Sequence, residues 1–246
     1  MGARREDLRR EAGSLMHFVS AGAAQALVRA IAARAGVPVE GSFGAVGAML
    51  AALRSGEACD VVILTRTQID ELVDARQALG DTATDVGSVS TAIAVRAADP
   101  PPDVSGEAPL RAALLAADAV FFPDPLTATA GIHFAKVLDQ LGIRGEIATR
   151  LKTFPNGATA MRAMAESHGH PIGCTQATEI LATPGARLVA ALPRGFDLRT
   201  VYTAAVSARA RDPDAARRLV AAIGDASSRA LAAGMGFDPA PPRAPR

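Results

Sequence analysis

The sequence predicts an α/β protein with a mostly parallel sheet and helices on both faces. Three observations predict it. Strand–turn–helix runs follow one another along most of the chain, the pattern left by crossover-connected strands. Hydrophobic residues make up 49% of the 246 residues and charged residues 21%, enough apolar material for a sizeable core and too much for disorder. The junctions from strand to helix are written in small residues with hydroxyls and amides among them. The length suits one large domain or two small ones.

Residues 15–19 read as a buried strand and Ser20-Ala21-Gly22 as a tight turn. Over 23–35, Ala26, Leu27, Ala30, Ile31 and Ala35 recur at helical spacing; Gly36 ends the helix and Pro38 blocks its continuation. Residues 37–43 are extended, 44–47 turn, and Met49, Leu50 and Leu53 mark a helix that stops near Gly56. A fully apolar strand at 60–64 precedes a helix around Ile69, Leu72 and Val73. Residues 90–95 form the next strand, and the prolines of 99–103 a surface loop, since proline cannot donate to a ladder. A second series follows: strand 119–122, loop 123–129, helix 131–141, extended 151–154, turn 155–157, helix 158–167. Strand 172–174 leads into a turn and short helix over 175–181, and 188–192 and 201–206 are extended. Asp212 caps a last long helix over 214–233, with Pro213 near its start, and the proline-rich tail 239–246 is expected to fray.

Composition excludes several classes. A net charge of +1, one Tyr and no Trp argue against a nucleic-acid binder, which needs a basic stripe or stacking rings. Cys59 and Cys174 form no CxxC pair and share no metal-ligand spacing with the four histidines; they read as half-buried small hydrophobes, and no metal or cofactor is expected. No apolar run reaches the ~18–20 residues of a membrane span, so no membrane insertion is expected. Residues 15–27 and Ala21-Gly22-Ala23 imitate a signal-peptide core and cleavage site. Glu6, Asp7 and Glu11 spoil the basic region before it, and 15–19 are needed as the first strand. The expectation is a cytoplasmic protein, or a periplasmic one if the true start differs from Met1.

Four junctions share one chemistry: Ser20-Ala21-Gly22, Gly44-Ala45-Val46-Gly47, Thr127-Ala128-Thr129-Ala130-Gly131 and Asn156-Gly157-Ala158-Thr159. A helix N-terminus presents unpaired N–H groups and about half a positive charge. Small residues let an anion reach that backbone, and several such ends converging would make an oxyanion site beyond the carboxyl ends of the strands. The same Ser, Thr and Asn also suit ordinary N-caps worth about 1 kcal/mol each. No Walker A loop or helix-opening GxGxxG is present, so nucleotide binding is not indicated.

In this order of elements the chain resembles the molybdate-binding family of ABC-transporter solute-binding proteins, of the type II periplasmic-binding fold. The resemblance runs from about Met16 to Phe237. It rests on Ser20-Ala21-Gly22-Ala23, Ser42-Phe43-Gly44-Ala45-Val46-Gly47, Gly56-Glu57-Ala58-Cys59-Asp60-Val61-Val62-Ile63, Asp124 with Thr129-Ala130-Gly131-Ile132, and Pro171-Ile172-Gly173-Cys174. It implies two α/β lobes with a ligand cleft between them: a first lobe of 16–92 and 203–238, a second of 93–202, and tails at 1–15 and 239–246. The crossings would fall near 90–96 and 192–206. It also implies a small anionic ligand and, if the protein is exported, an ABC permease as partner. Family members usually place serines where Ala45-Val46-Gly47 stands here, and a tyrosine near Gln176. Losing two hydroxyl donors in a desolvated site would cost about 1–3 kcal/mol each, which argues against molybdate itself. Ser20, Thr129 and the backbone of Ala130 keep the pattern.

The ligand-binding residues expected are Ser20, Ala21, Gly22, Ala45, Val46, Thr127, Thr129, Ala130, Asn156, Gly157, Gln176 and Arg66. Arg66 follows the third strand and is either a solvated arginine or a carboxylate clamp. A binding protein would close around a small oxyanion or carboxylate without chemistry. The alternative is an enzyme like the family's aconitate isomerase members, moving a proton within a small tricarboxylate. Its acid/base candidates are His133 and Glu179. His17, inside the first strand, reads as a core or edge histidine. A cytosolic ligand sensor is a third possibility.

Overall fold

The computed structural model describes residues 15–243. Residues 1–14, read above for a leader, lie outside the described residues, as do 244–246.

Strand β1 (Met16–Ala21) passes through a 3-10 turn (Gly22–Ala24) into α1 (Gln25–Ala35), followed by β2 (Val39–Gly44), α2 (Val46–Arg54), β3 (Val61–Thr65) and α3 (Arg66–Asp74). The long β4 (Thr84–Arg96) carries the chain into α4 (Glu107–Ala116), β5 (Val120–Pro123), α5 (Thr129–Gln140), β6 (Leu151–Phe154), α6 (Gly157–Ala165), β7 (Ile172–Gln176), α7 (Ala177–Leu181) and β8 (Ala186–Ala191). β9 (Arg199–Val206), α8 (Pro213–Ile223) and α9 (Ala226–Gly234) complete the fold.

The strand order is β2-β1-β3-β9-β4-β7-β5-β6, with β8 also on β4. β1 pairs in parallel with β2 and β3, and β5 with β6 and β7. β9 runs against β3 and β4, and β7 and β8 run against β4. The expected mostly parallel sheet is therefore mixed, parallel at both ends and antiparallel in the middle. β9 enters from the other lobe between β3 and β4 instead of arriving through a crossover helix, so it can run against both. β4 changes partners midway: Ser90 pairs with Arg199 of β9, and Thr91 with Gln176 of β7. The two halves are two α/β lobes joined through this strand.

The larger core cluster packs Phe18, Val62, Ile63, Leu64, Ile69, Leu72, Ala205 and Leu219 around β1, β3 and β9. The second gathers Leu110, Leu114, Val120, Phe122, Phe134, Val137 and Leu138 about β5. Both cysteines are buried, not half-buried, and burial pushes the Cys59 thiol up to about 12 and Cys174 well above its ordinary value. Neither presents a reactive thiolate. His17 is partly buried, and its N–H donates to the buried Asp60 carboxylate at 2.8 Å.

Three further expectations are corrected. The last helix is two, because Asp225 after Gly224 accepts from the Ser228 N–H and starts α9 anew. Helix α4 was not expected. Its Pro109 falls in the first turn, where the missing N–H costs nothing. The tail does not fray as far as residue 243. Arg66 donates to the Pro241 carbonyl at 2.7 Å and Arg243 pairs with Asp70 and Asp85, holding it against the first lobe.

Phe134 is fully buried, edge-on to Phe122 with centroids 5.4 Å apart. Phe134→Ala is expected to destabilise the protein by about 3–5 kcal/mol in chemical denaturation.

Candidate anion-binding cleft

Four chain segments bring helix N-termini to one cavity between the lobes. The 3-10 turn at Gly22 and α2 at Val46 come from the first lobe; α5 at Thr129 and α6 at Gly157 come from the second. Elsewhere in the fold, three helix starts carry a side-chain cap, Thr65 accepting from the Gln68 N–H, Asp212 from Ala215 and Asp225 from Ser228, while α1 after Ala24 and α4 after Gly106 start without one. At the cavity, three of the four cap positions are Ala21, Ala45 and Ala128, and no side chain caps them. Only Asn156 caps, accepting from the Thr159 N–H at 2.9 Å. Capping therefore does not account for three of the four junctions. Their first-turn N–H groups have no side-chain acceptor, which is the arrangement that receives an anion.

The cavity is small, about 20 Å³. Glu179 of α7 forms part of its wall and accepts the Thr175 hydroxyl at 2.6 Å. Burial drives the Glu179 carboxyl up. The Thr175 hydroxyl and the N–H groups of Ala158, Gln176 and Gly157 pull the other way, and the net effect is a raised value. Gly22 and Gly157 leave the space it fills: a Cβ on Gly157 would lie 2.0 Å from Oε2, and one on Gly22 2.8 Å from Oε1. Tyr202 of β9 completes the wall, its phenol raised by burial and further by the neighbouring Glu179 charge. Gln176 Nε2 reaches Thr200 Oγ1 at 3.4 Å, while its Oε1 is buried with no hydrogen-bond partner.

A wider chamber of about 590 Å³ opens beyond, sharing Val46 and Thr129 with the cavity and lined also by Thr127, Arg66, Gln68 and Arg199. Arg66 is not free in it. Its Nε and Nη2 donate to the two Asp85 oxygens at 3.2 and 2.6 Å. Burial would raise the Asp85 carboxyl, but hydrogen bonds from Arg66, Thr203 and Arg243 outweigh it and hold it below the ordinary value. The lobes touch where the Gly47 N–H donates to the Thr127 carbonyl at 3.0 Å.

Of the residues expected to bind ligand or catalyse, the fold gathers Ala21, Gly22, Ala45, Val46, Thr129, Ala130, Asn156, Gly157, Gln176 and Glu179 around the inner cavity. Arg66 and Thr127 stand in the outer chamber. Ser20 lines neither; it is fully buried, and its hydroxyl donates to the Ala21 carbonyl at 3.1 Å. His133 lines neither and lies 2.7 Å from the Phe196 carbonyl, so the structure does not bring it together with Glu179. Sequence reading missed Thr175 and Tyr202. Tyr202 is the chain's single tyrosine, which could have marked it, but its place in the cleft depends on β9 crossing from the other lobe.

Two α/β lobes clasping a cavity of helix N-termini define a ligand-capturing protein of the periplasmic-binding type. A family model for bacterial extracellular solute-binding proteins matches residues 15–238, and the chain belongs to that family. A relative, aconitate isomerase of Pseudomonas sp, is 26% identical over 193 residues, covering 77% of this chain and 71% of the relative. The fold is shared with the periplasmic molybdate-binding protein of Azotobacter vinelandii: TM-score 0.72, 16% identity, 90% of this chain and 98% of that one. It is also shared with the sulfate-binding protein of Mycobacterium tuberculosis H37Rv: TM-score 0.68, 22% identity, 92% and 86%. No helix among the described residues is long and apolar enough to cross a membrane.

The raised Glu179 value carries a stability prediction. The folded protein holds this proton more tightly than the unfolded chain, so stability present at low pH is lost as pH rises from 4.5 through the raised value. In melting curves across pH, Glu179→Gln should gain on the parent protein over that window and then hold a constant lead. A lead that does not change with pH would count against a protonated Glu179. Gly157→Ala forces its Cβ into the Glu179 and Thr175 oxygens and should destabilise the protein by about 1–3 kcal/mol.

Proposed function

We propose that this chain captures a small oxyanion or carboxylate between its lobes and releases it to a partner, an ABC permease if the protein is exported as its family description indicates. The observation that carries this reading is the set of alanine-capped helix starts, from both lobes, at one cavity. Donors from both lobes mean that a bound anion favours the closed arrangement over the open one. We place the lobe division at 16–92 with 203–238 and at 93–202, close to where β4 exchanges β9 for β7. Ala45-Val46-Gly47 supplies no hydroxyl, so recognition in the first lobe falls on backbone N–H groups, which favour anions without selecting molybdate.

A second reading, an isomerase moving a proton within a small polycarboxylate, has its own support. Glu179 is a buried carboxyl whose raised value suits proton transfer, and the aconitate isomerase relative aligns with most of the chain. The wider chamber gives a polycarboxylate room that the inner cavity lacks.

A melting screen with sulfate, molybdate, tungstate, citrate and trans-aconitate separates the readings, since a ligand of the native state raises Tm. Capture predicts a shift with at least one and no turnover. Isomerisation predicts conversion of trans-aconitate seen by NMR and lost in Glu179→Gln. A flat screen sinks both. Arg66→Ala should alter either outcome little, because Asp85 and the Pro241 carbonyl already hold that guanidinium. Gly47→Ala puts a Cβ 2.9 Å from the Thr127 carbonyl and should weaken binding about tenfold, by isothermal titration, through impaired closure.

A further inference from the structure

The inner cavity holds acceptors where an anion is to sit. The Glu179 carboxylate lies between the Gly22 turn of one lobe and the N-terminus of α6 in the other, in the space that those two glycines leave. Beside it, Gln176 Oε1 is buried and unpaired, on a residue only 3% exposed. The remaining polar residues of the lining are Thr129, Tyr202, Asn156, whose Oδ1 accepts from the Thr159 N–H, and Thr175, whose hydroxyl is given to Glu179, beside backbone N–H groups. A fully deprotonated oxyanion has only acceptors to offer. Against an ionised Glu179, out of water, it meets a like charge and leaves Gln176 Oε1 unsatisfied.

We infer that Glu179 is the specificity-determining group of the cavity: an anion enters only with one proton between itself and Glu179. The proton comes on the ligand, as an acid O–H or a hydroxyl, or Glu179 takes it from solvent. This inference rests on the capture reading above. The surroundings do not offer a substitute for that proton. On the elements packed against α7, Arg187 of β8 bonds the Asp99 carbonyl, Arg96 and Asp85 of β4 are committed to Asp99 and Arg66, and Arg162 of α6 is exposed. β7 and the Gly22 turn carry no charge, and Tyr202 of β9, raised by burial, stays neutral. The upward displacement of the Glu179 carboxyl by burial favours the solvent route more than an ordinary exposed carboxylate would.

Sulfate, which carries no proton near neutrality, is the probe. Isothermal titration of the full chain is run between about pH 5 and about pH 8, in two buffers of different ionisation enthalpy, on the parent protein and on Glu179→Gln. The range spans where a raised carboxyl titrates. The parent should take up one proton per sulfate, with affinity falling by up to about tenfold per pH unit above the Glu179 value. Glu179→Gln should bind sulfate with no proton uptake and no pH dependence. Sulfate binding by the variant alone supports the inference, with Glu179 acting as an outright barrier. The proton count on the parent decides the matter if the variant fails to fold. Sulfate binding by the parent without uptake or pH dependence overturns the inference and leaves the capture reading standing. Sulfate bound by neither protein also overturns it, and the carboxylate arm of the melting screen then decides the capture reading.

Discussion

The constraint on which the cleft depends is that three of the four helix starts at its centre have no side-chain cap. Buried donors must be satisfied, and leaving one unmade costs about 1–3 kcal/mol. Three helix starts elsewhere settle this with Thr65, Asp212 and Asp225. At the cavity, alanines stand in the same positions and the obligation passes to whatever occupies the space between the lobes. The small residues around it follow, since any larger side chain would fill the cavity or block the approach of the backbones. The Gly47–Thr127 backbone bond follows as well, because only a glycine at that point lets the two lobes come so close.

Glu179 qualifies this arrangement. It brings a negative charge to a place built to attract one, and burial answers by making that charge harder to hold. A site with donors alone would favour any small dianion. A site with donors, a buried carboxyl and an unpaired amide oxygen discriminates among anions by the hydrogens they carry.

The alternation of strands and helices was legible in the sequence because each element there is written locally: apolar runs for buried strands, helical spacing over Ala26 to Ala35, and glycine stops. The four junctions were legible for the same reason, and most of the inner cavity comes from them. What was not legible depends on contacts between distant segments. The direction of β9, and with it the place of Tyr202, is set by pairing with β3 and β4. His133 sits on α5, one turn into a helix whose start reaches the cavity, yet the helical rotation carries its ring to the Phe196 carbonyl. Arg66 follows a strand as a ligand clamp should, and only the fold reveals that Asp85, nineteen residues on, has taken its fork. The break at Gly224-Asp225 was local and readable: a glycine followed by a capping aspartate.

The insertion of β9 between β3 and β4 has a consequence for how the chain is made. Thr65 and Tyr202 are register partners, so everything between them, including the whole of the second lobe, is synthesised before the first can close its sheet. Contacts of such sequence separation pay their loop-closure entropy late and slow folding. During that interval the β3 edge stands open, with its backbone groups unpaired and its apolar residues uncovered. The second lobe, built from one uninterrupted stretch, has no such debt. A nascent chain therefore carries a finished half and an unfinished one, and the interlobe cavity comes into being only when the last strand arrives.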